Sequence, residues 1–175
     1  MPNSESFAEG RTPPPWLDEY GPATIREFQP LPERTLTELV RRSSRDNAAR
    51  IAFTICLDNG LTASLSYRDV DALSDRFAAY LRFKLGLKPG DRVALQTPNC
   101  LPYPVVAFGV FKADAILVNV NPLYTAPEMR KQLTDAGARV LVIVDMFADK
   151  LAEALEGTAV ESVVTVSVAD FFPPL

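Results

Sequence analysis

From Ser66 onward the chain reads as helix and strand in strict alternation, and its strands are continuous apolar runs such as Val140-Leu141-Val142-Ile143-Val144. A strand with one face in water alternates apolar and polar residues, so an unbroken run belongs to a strand covered on both faces. Covered strands separated by helices form a parallel sheet between two helical layers, the doubly wound α/β architecture. With 175 residues, 47% of them hydrophobic, the chain can fill one such core.

The segments around this pattern follow from local signals. Residues 1–34 carry Pro2, Pro13, Pro14, Pro15, Pro22, Pro30 and Pro32, too many for a helix or a central strand, and are expected to form an extended arm. Trp16, Leu17 and Tyr20 make an apolar knot within it, expected to dock on the domain's own surface or on a neighbouring subunit. Thr35 to Glu38 is a capping box that starts a helix running to about Arg45. The run Ile51 to Leu57, the turn Asp58-Asn59-Gly60 with its positive-φ residues, and Leu61 to Ser66 make a hairpin. Ser66 with Asp69 repeats the capping pattern, and Val70, Leu73, Phe77 and Leu81 recur on one helical face before a stop at Gly86. Then follow strand Arg92 to Gln96, helix Leu101 to Ala113, strand Ala115 to Val120, a helix from Thr125 to Gly137, strand Arg139 to Val144, a helix from Phe147 to Leu155 and strand Ser162 to Val168.

Composition removes several function classes. The chain has no histidine, which excludes Ser-His-Asp and Cys-His arrangements, the usual zinc sites and the commonest general base within these residues. Cys56 and Cys100 lie far apart without metal-site spacing and read as reduced thiols. A net charge of −4 gives no general basic field, so no nucleic-acid partner is expected. The basic segment from Arg34 to Arg50 reads as a solvated helix face, with contact to an anionic surface as its rival. There is no basic stretch followed by an apolar run at the start, and no window reaches the ~18 apolar residues of a membrane span, so a soluble cytoplasmic location is expected.

Ligands of a doubly wound sheet sit at the carboxyl ends of its strands, so chemistry is sought in the loops that follow them. Those loops read Thr97-Pro98-Asn99-Cys100, Asn119-Val120-Asn121-Pro122-Leu123-Tyr124-Thr125 and Asp145-Met146. None has a Gly-x-Gly, which removes the dinucleotide fingerprint and the Walker A loop. Asp145 either holds a ribose or a metal, or caps a helix. Asn119 and Asn121 offer amides to a ligand or satisfy backbone groups of the Asn-Pro turn, and Tyr124 lines a pocket or covers the core.

Four stretches in order carry a family resemblance. LSYRDVDALSDRFAAYL (Leu65 to Leu81) resembles the early motif of the adenylate-forming, acyl-activating superfamily, and GLKPGDRVALQTPNC (Gly86 to Cys100) resembles its next landmark. FGVFKADAILVNVNPLYTAPEM with RKQLTDAGARVLVIVD, and within it Ala113-Asp114-Ala115 and Asn119 to Thr125, is similar to the bacterial long-chain fatty acid–CoA ligases. The resemblance implies the N-terminal subdomain of an acyl-CoA synthetase-like fold over residues 35–175. It implies ATP, Mg²⁺ and coenzyme A as cofactors of the complete enzyme, and a fatty acid as its substrate. The family's phosphate loop and later adenylate motifs match nothing in these residues, so none of them is expected to be catalytic. Asn119, Asn121 and Tyr124 become candidates for the wall of the substrate pocket. The chain is then expected to be inactive alone, to hold no cofactor, and to need the remainder of a ligase, a second sheet subdomain and a C-terminal domain. Self-association through uncovered apolar surface and peripheral contact with a membrane are further expectations. The rival readings are a stand-alone α/β module that binds nucleotide or acyl ligand or regulates a partner, and a flavodoxin-like enzyme.

Overall fold

The computed structural model describes residues 32–173. The expected Pro-rich arm over 1–34, apart from its last three residues, and the knot of Trp16, Leu17 and Tyr20 lie outside the described residues. Helix α1 (Leu36–Asp46) begins at Thr35, whose hydroxyl accepts from the Glu38 N–H at 3.1 Å. The reciprocal bond of the expected capping box goes one residue earlier, with Arg34 N donating to Glu38 Oε2 at 2.7 Å. Strands β1 (Ile51–Cys56) and β2 (Thr62–Ser66) pair antiparallel, with an irregularity between Ile51 and Phe53. Only Gly60 of the expected turn residues takes a positive φ, 84°. Asn59 contributes through its side chain instead, accepting from Leu61 N at 3.0 Å, the usual way a short amide closes a turn.

Helix α2 (Tyr67–Ala79) has both halves of its capping box, Ser66 Oγ accepting from Asp69 N and Asp69 Oδ2 accepting from Ser66 N. These bonds, the Ser66 hydroxyl foremost, hold the Asp69 carboxyl below its ordinary range. The helix does not end as a plain α-helix. It widens into a π-turn over Tyr80–Lys84 before Gly86 stops it at a φ of 68°.

The main sheet has four parallel strands, β3 (Arg92–Gln96), β4 (Ile116–Asn119), β5 (Val140–Val144) and β6 (Ser162–Val166), in the order β4-β3-β5-β6. Helix α3 (Pro102–Lys112) joins β3 to β4, and α4 (Ala126–Ala136) joins β4 to β5. The expected helix after β5 forms in two parts, a 3-10 segment over Asp145–Lys150 and the short α5 (Leu151–Ala154). Strand periodicity sorts the core into two layers. Val93 and Leu95 of β3 with Val140 and Val142 of β5 face α2 and α3 through Ala78, Leu81, Val106 and Val110. Ala94, Leu141 and Ile143 face the other way, onto Met129 and Leu133 of α4 and Ala154 of α5. The apolar run of β5 is buried throughout, as a strand covered on both faces should be. The outer strands β4 and β6 are only partly covered. The hairpin packs separately, Ala63 and Leu65 against Val70, Leu101 and Val105.

A charged clamp closes the amino ends of the strands. Arg139, just before β5, pairs with Asp91 before β3 and, at 2.6 Å, with Glu161 before β6. The Arg139 bonds hold the Glu161 carboxyl below its ordinary range, and the Lys88 N–H, followed by Arg139, does the same for Asp91. Both folded values lie below the unfolded value of about 4, so this stabilisation is present at neutral pH and is lost as pH falls through the folded values. Arg139→Leu should therefore lower the urea midpoint most near neutral pH. The gap to wild type should close below about pH 4, and an equal gap at both ends of the range would contradict the clamp.

Candidate functional site

The first turn after each parallel strand sits at one end of the sheet. Helix α3 leaves β3 toward one layer, while the segment after β5 leaves toward the other, so the crevice of a doubly wound sheet lies between the carboxyl ends of β3 and β5. The residues there are Gln96 and Thr97, Asn119 to Asn121 from the neighbouring β4, and Asp145 with Met146.

Asn119 pairs with Leu95 in the β3–β4 register. Its Oδ1 accepts from the Tyr103 hydroxyl of α3 at 3.0 Å, and its carbonyl accepts from Gln132 Nε2 of α4 at 2.9 Å. Two residues on, Asn121 folds its side chain back, Oδ1 accepting from Leu123 N at 3.0 Å, while its carbonyl accepts from Gln96 Nε2 at 3.0 Å. Tyr124 donates its N–H to the Asn121 carbonyl, and its own carbonyl accepts from Lys150 Nζ at 3.1 Å. Its ring packs on the α4 core layer. Asn121 and Tyr124 thus share one turn, and Asn119 is tied to the α3 side. Asp145 does not cap a helix through N2 or N3, because its Oδ1 takes the adjacent Met146 N–H at 2.8 Å and the backbone proceeds as 3-10.

A cavity of about 450 Å³ opens beside these ends. Leu57, Leu61, Met146, Val168, Phe172 and Pro173 form most of its wall, and Asp145, Ser167 and Thr62 bring the polar groups. Tyr124 lines a separate groove along α4 with Glu128, Lys131, Gln132 and Asp135. Neither takes in Asn119 or Asn121. Gln96, which loop-by-loop reading passed over, is fully buried at the crevice and leaves its Oε1 without a hydrogen-bond partner. The signal for it was a polar residue closing the apolar strand Arg92-Val93-Ala94-Leu95-Gln96.

The strand ends carry neutral or anionic side chains, a poor match to a triphosphate. Among the described residues no group of three or more His, Cys, Asp and Glu is placed to hold a metal ion, and no helix is long and apolar enough to cross a membrane. The thiols are free and differ in environment: Cys56 is exposed and Cys100 buried. Burial pushes the Cys100 thiol above its ordinary range. Thiol titration of the folded chain should show one fast and one slow group, and two fast groups on unfolding. Two fast groups in the folded chain would contradict this placement.

The model of the AMP-binding enzyme family matches residues 40–175. The chain is 40% identical over 155 residues to a long-chain-fatty-acid–CoA ligase of Salmonella typhimurium (strain LT2), covering 89% of this chain. It is 34% identical over 159 residues to the enzyme so named from Bacillus subtilis (strain 168), covering 91% of this chain. It spans 27% of the length of each of these curated relatives. Among solved structures, a long-chain-fatty-acid-CoA ligase from Archaeoglobus fulgidus superposes with a TM-score of 0.70 at 21% identity, over 80% of this chain and 30% of that one. This likeness shows the fold.

Proposed function

The chain belongs to the AMP-binding enzyme family, and we propose that it is the N-terminal portion of a long-chain fatty acid–CoA ligase. The observation that carries this reading is the 40% identity to a long-chain-fatty-acid–CoA ligase sustained over 155 residues. In the proposed reaction a fatty acid carboxylate oxygen attacks the α-phosphorus of ATP and pyrophosphate leaves, giving an acyl-adenylate. The sulfur of coenzyme A then attacks the acyl carbon and AMP departs. Mg²⁺ would offset the charge that builds on the phosphates.

In this reading residues 1–34 are an arm and 35–175 the first α/β subdomain, located in the cytoplasm. Its role is wall and scaffold. Asn121 and Tyr124 present the turn after β4, Asn119 anchors that turn to α3 and α4, and the apolar cavity offers a surface to an acyl chain. The neutral and anionic strand ends support assigning the phosphate-binding groups to other parts of the ligase. Residues 1–175 alone should then hold no cofactor and release no pyrophosphate. Leu123, Met146 and Ile116 are well exposed, at 79%, 63% and 50%. The second sheet subdomain and C-terminal domain would cover such surface, and self-association would cover it in their absence.

Grafting this chain in place of the aligned region of the Salmonella typhimurium ligase tests the reading. The chimera should melt cooperatively and form long-chain acyl-CoA. A folded chimera without fatty-acid-dependent pyrophosphate release would refute it, and one that activates only short or aromatic acids would refute the substrate class.

A further inference from the structure

We infer that Gln96, Gln132 and Lys150 are positioning residues for fatty acid binding: together they fix the turn over residues 119–125 at the crevice, where it walls the substrate pocket. Three carbonyls of that turn each accept from a side-chain N–H of a different element. Gln132 Nε2 of α4 donates to the Asn119 carbonyl at 2.9 Å, Gln96 Nε2 of β3 to that of Asn121 at 3.0 Å, and Lys150 Nζ of the 3-10 segment to that of Tyr124 at 3.1 Å. In the sheet β3 stands between β4 and β5. A turn that leaves β4 and is tied both to β3 and to the segment after β5 therefore spans the crevice end of the sheet. This role rests on the ligase reading.

The core does not explain these side chains. Gln96 is fully buried, yet its Oε1 has no hydrogen-bond partner, and the Oε1 of Gln132 is buried without one as well. A buried acceptor left unpaired is destabilising. Packing alone would favour leucine at position 96. Ala94, two residues earlier on the same side of β3, belongs to the apolar α4 layer, and without Gln96 the Asn121 carbonyl would still accept from Tyr124 N. Lys150 shows the same priority. Its ammonium, 5.2 Å from the centre of the Phe147 ring, forms no ion pair among the described residues and gives a donor to a neutral carbonyl of the turn.

Shape and placement of the turn are set separately. Inside it, Asn121 Oδ1 accepts from Leu123 N, and Thr125 with Glu128 closes the start of α4. These bonds fix the shape, and the three donors from outside fix where that shape sits. Binding walls function when their supporting residues hold them to within about 0.5 Å. A wall that has come loose is ordered by the bound chain at the expense of affinity. Fatty acid binding is therefore the step that senses the three donors, while the groups that handle the phosphates, assigned to other parts of the ligase, do not.

The test uses the chimera with the Salmonella typhimurium ligase. Gln96→Leu, Gln132→Leu and Lys150→Met should each raise the KM for a long-chain fatty acid roughly fivefold, the worth of about one net hydrogen bond, with kcat and the KM for ATP unchanged. Lys150→Arg, which keeps a donor there, should restore most of the affinity. Gln96→Leu should melt no lower than the unsubstituted chimera, because the swap removes the unpaired oxygen together with the donor. A merely structural role would instead lower the melting temperature and leave the KM for fatty acid alone. In residues 1–175 by themselves, hydrogen exchange at the Leu123 and Tyr124 N–H groups should quicken in the same three variants. An unaltered KM for fatty acid in a chimera that forms acyl-CoA would overturn the proposal and leave the ligase reading standing, and so would unaltered exchange in the turn. A chimera that forms no acyl-CoA before any of these substitutions would overturn the ligase reading and this role with it.

Discussion

Replacing Asp71 and Asp75 together by Ala is expected to cost about 3–5 kcal/mol, because it strands a buried charge. The Lys112 side chain is 1% exposed, and its Nζ lies 2.6 Å from Asp71 Oδ1, 2.9 Å from Asp75 Oδ1 and 2.9 Å from the Asp71 carbonyl. Remove the carboxylates and the buried ammonium keeps one neutral acceptor, the Asp71 carbonyl. The reverse substitution should be milder. Lys112→Met keeps the apolar stem, and the two carboxylates, 32% and 48% exposed, can turn to solvent. The Asp71 carbonyl that loses Lys112 still accepts from the Ser74 hydroxyl at 3.0 Å, so the loss should be of the order of one net hydrogen bond, about 1 kcal/mol. Asp75 also meets Arg41, at 3.6 Å and in the open, a pair that contributes little. Arg41→Ala is therefore the control. Urea unfolding of the four proteins decides the matter, and equal losses for the double substitution and for Lys112→Met would show that Lys112 is not buried as described.

Gly109 is the second sensitive position, on the same helix pair. A Cβ placed there would lie 2.8 Å from Phe77 Cδ1, 3.1 Å from Phe77 Cβ and 3.1 Å from the Ser74 carbonyl oxygen. The ring tip can move, but the Phe77 Cβ and the Ser74 backbone cannot without shifting α2. Gly109→Ala should gain about 1 kcal/mol of helix propensity and lose about 1–3 kcal/mol to overpacking, a net loss. Gly109→Val, with two more methyl groups, should sit at or beyond the top of that range. Combining it with Phe77→Ala clears the ring and leaves Ser74 in the way, so thermal melting should show partial rescue only. Gly109→Ala more stable than wild type would mean that α2 and α3 do not approach so closely.

Both positions show where reading the sequence stops. Period and caps are local, and Val70, Leu81, the Ser66–Asp69 box and the apolar β5 were legible from neighbouring residues alone. The pairing of Lys112 with residues about forty positions earlier depends on how α3 crosses α2, and Gly109 among apolar neighbours looks like any small residue. The π-turn likewise follows from no local signal in Tyr80 to Lys84. At the crevice, the alternation located the loops but not the directions of their side chains. The β3–β4 register sets Asn119 beside Leu95 and α4 lies behind it, so its hydrogen bonds go to Tyr103 and Gln132, while Asn121 is spent on its own turn. Gln96 was missed because its position is a strand end, whereas the search was confined to loops.

The strand order β4-β3-β5-β6 has a consequence for synthesis on the ribosome. Strands β3 and β4 emerge early and can pair across α3, but the α4 layer rests on little more than Ala94 and Val120 until Leu141 and Ile143 of β5 arrive beside β3. Until then Met129 and Leu133 of the nascent chain stay uncovered, the kind of surface that recruits chaperones or aggregates. Closing a sheet through such distant segments is intrinsically slow. Met129 and Leu133 are therefore covered by the arrival of β5, and not by the earlier helices.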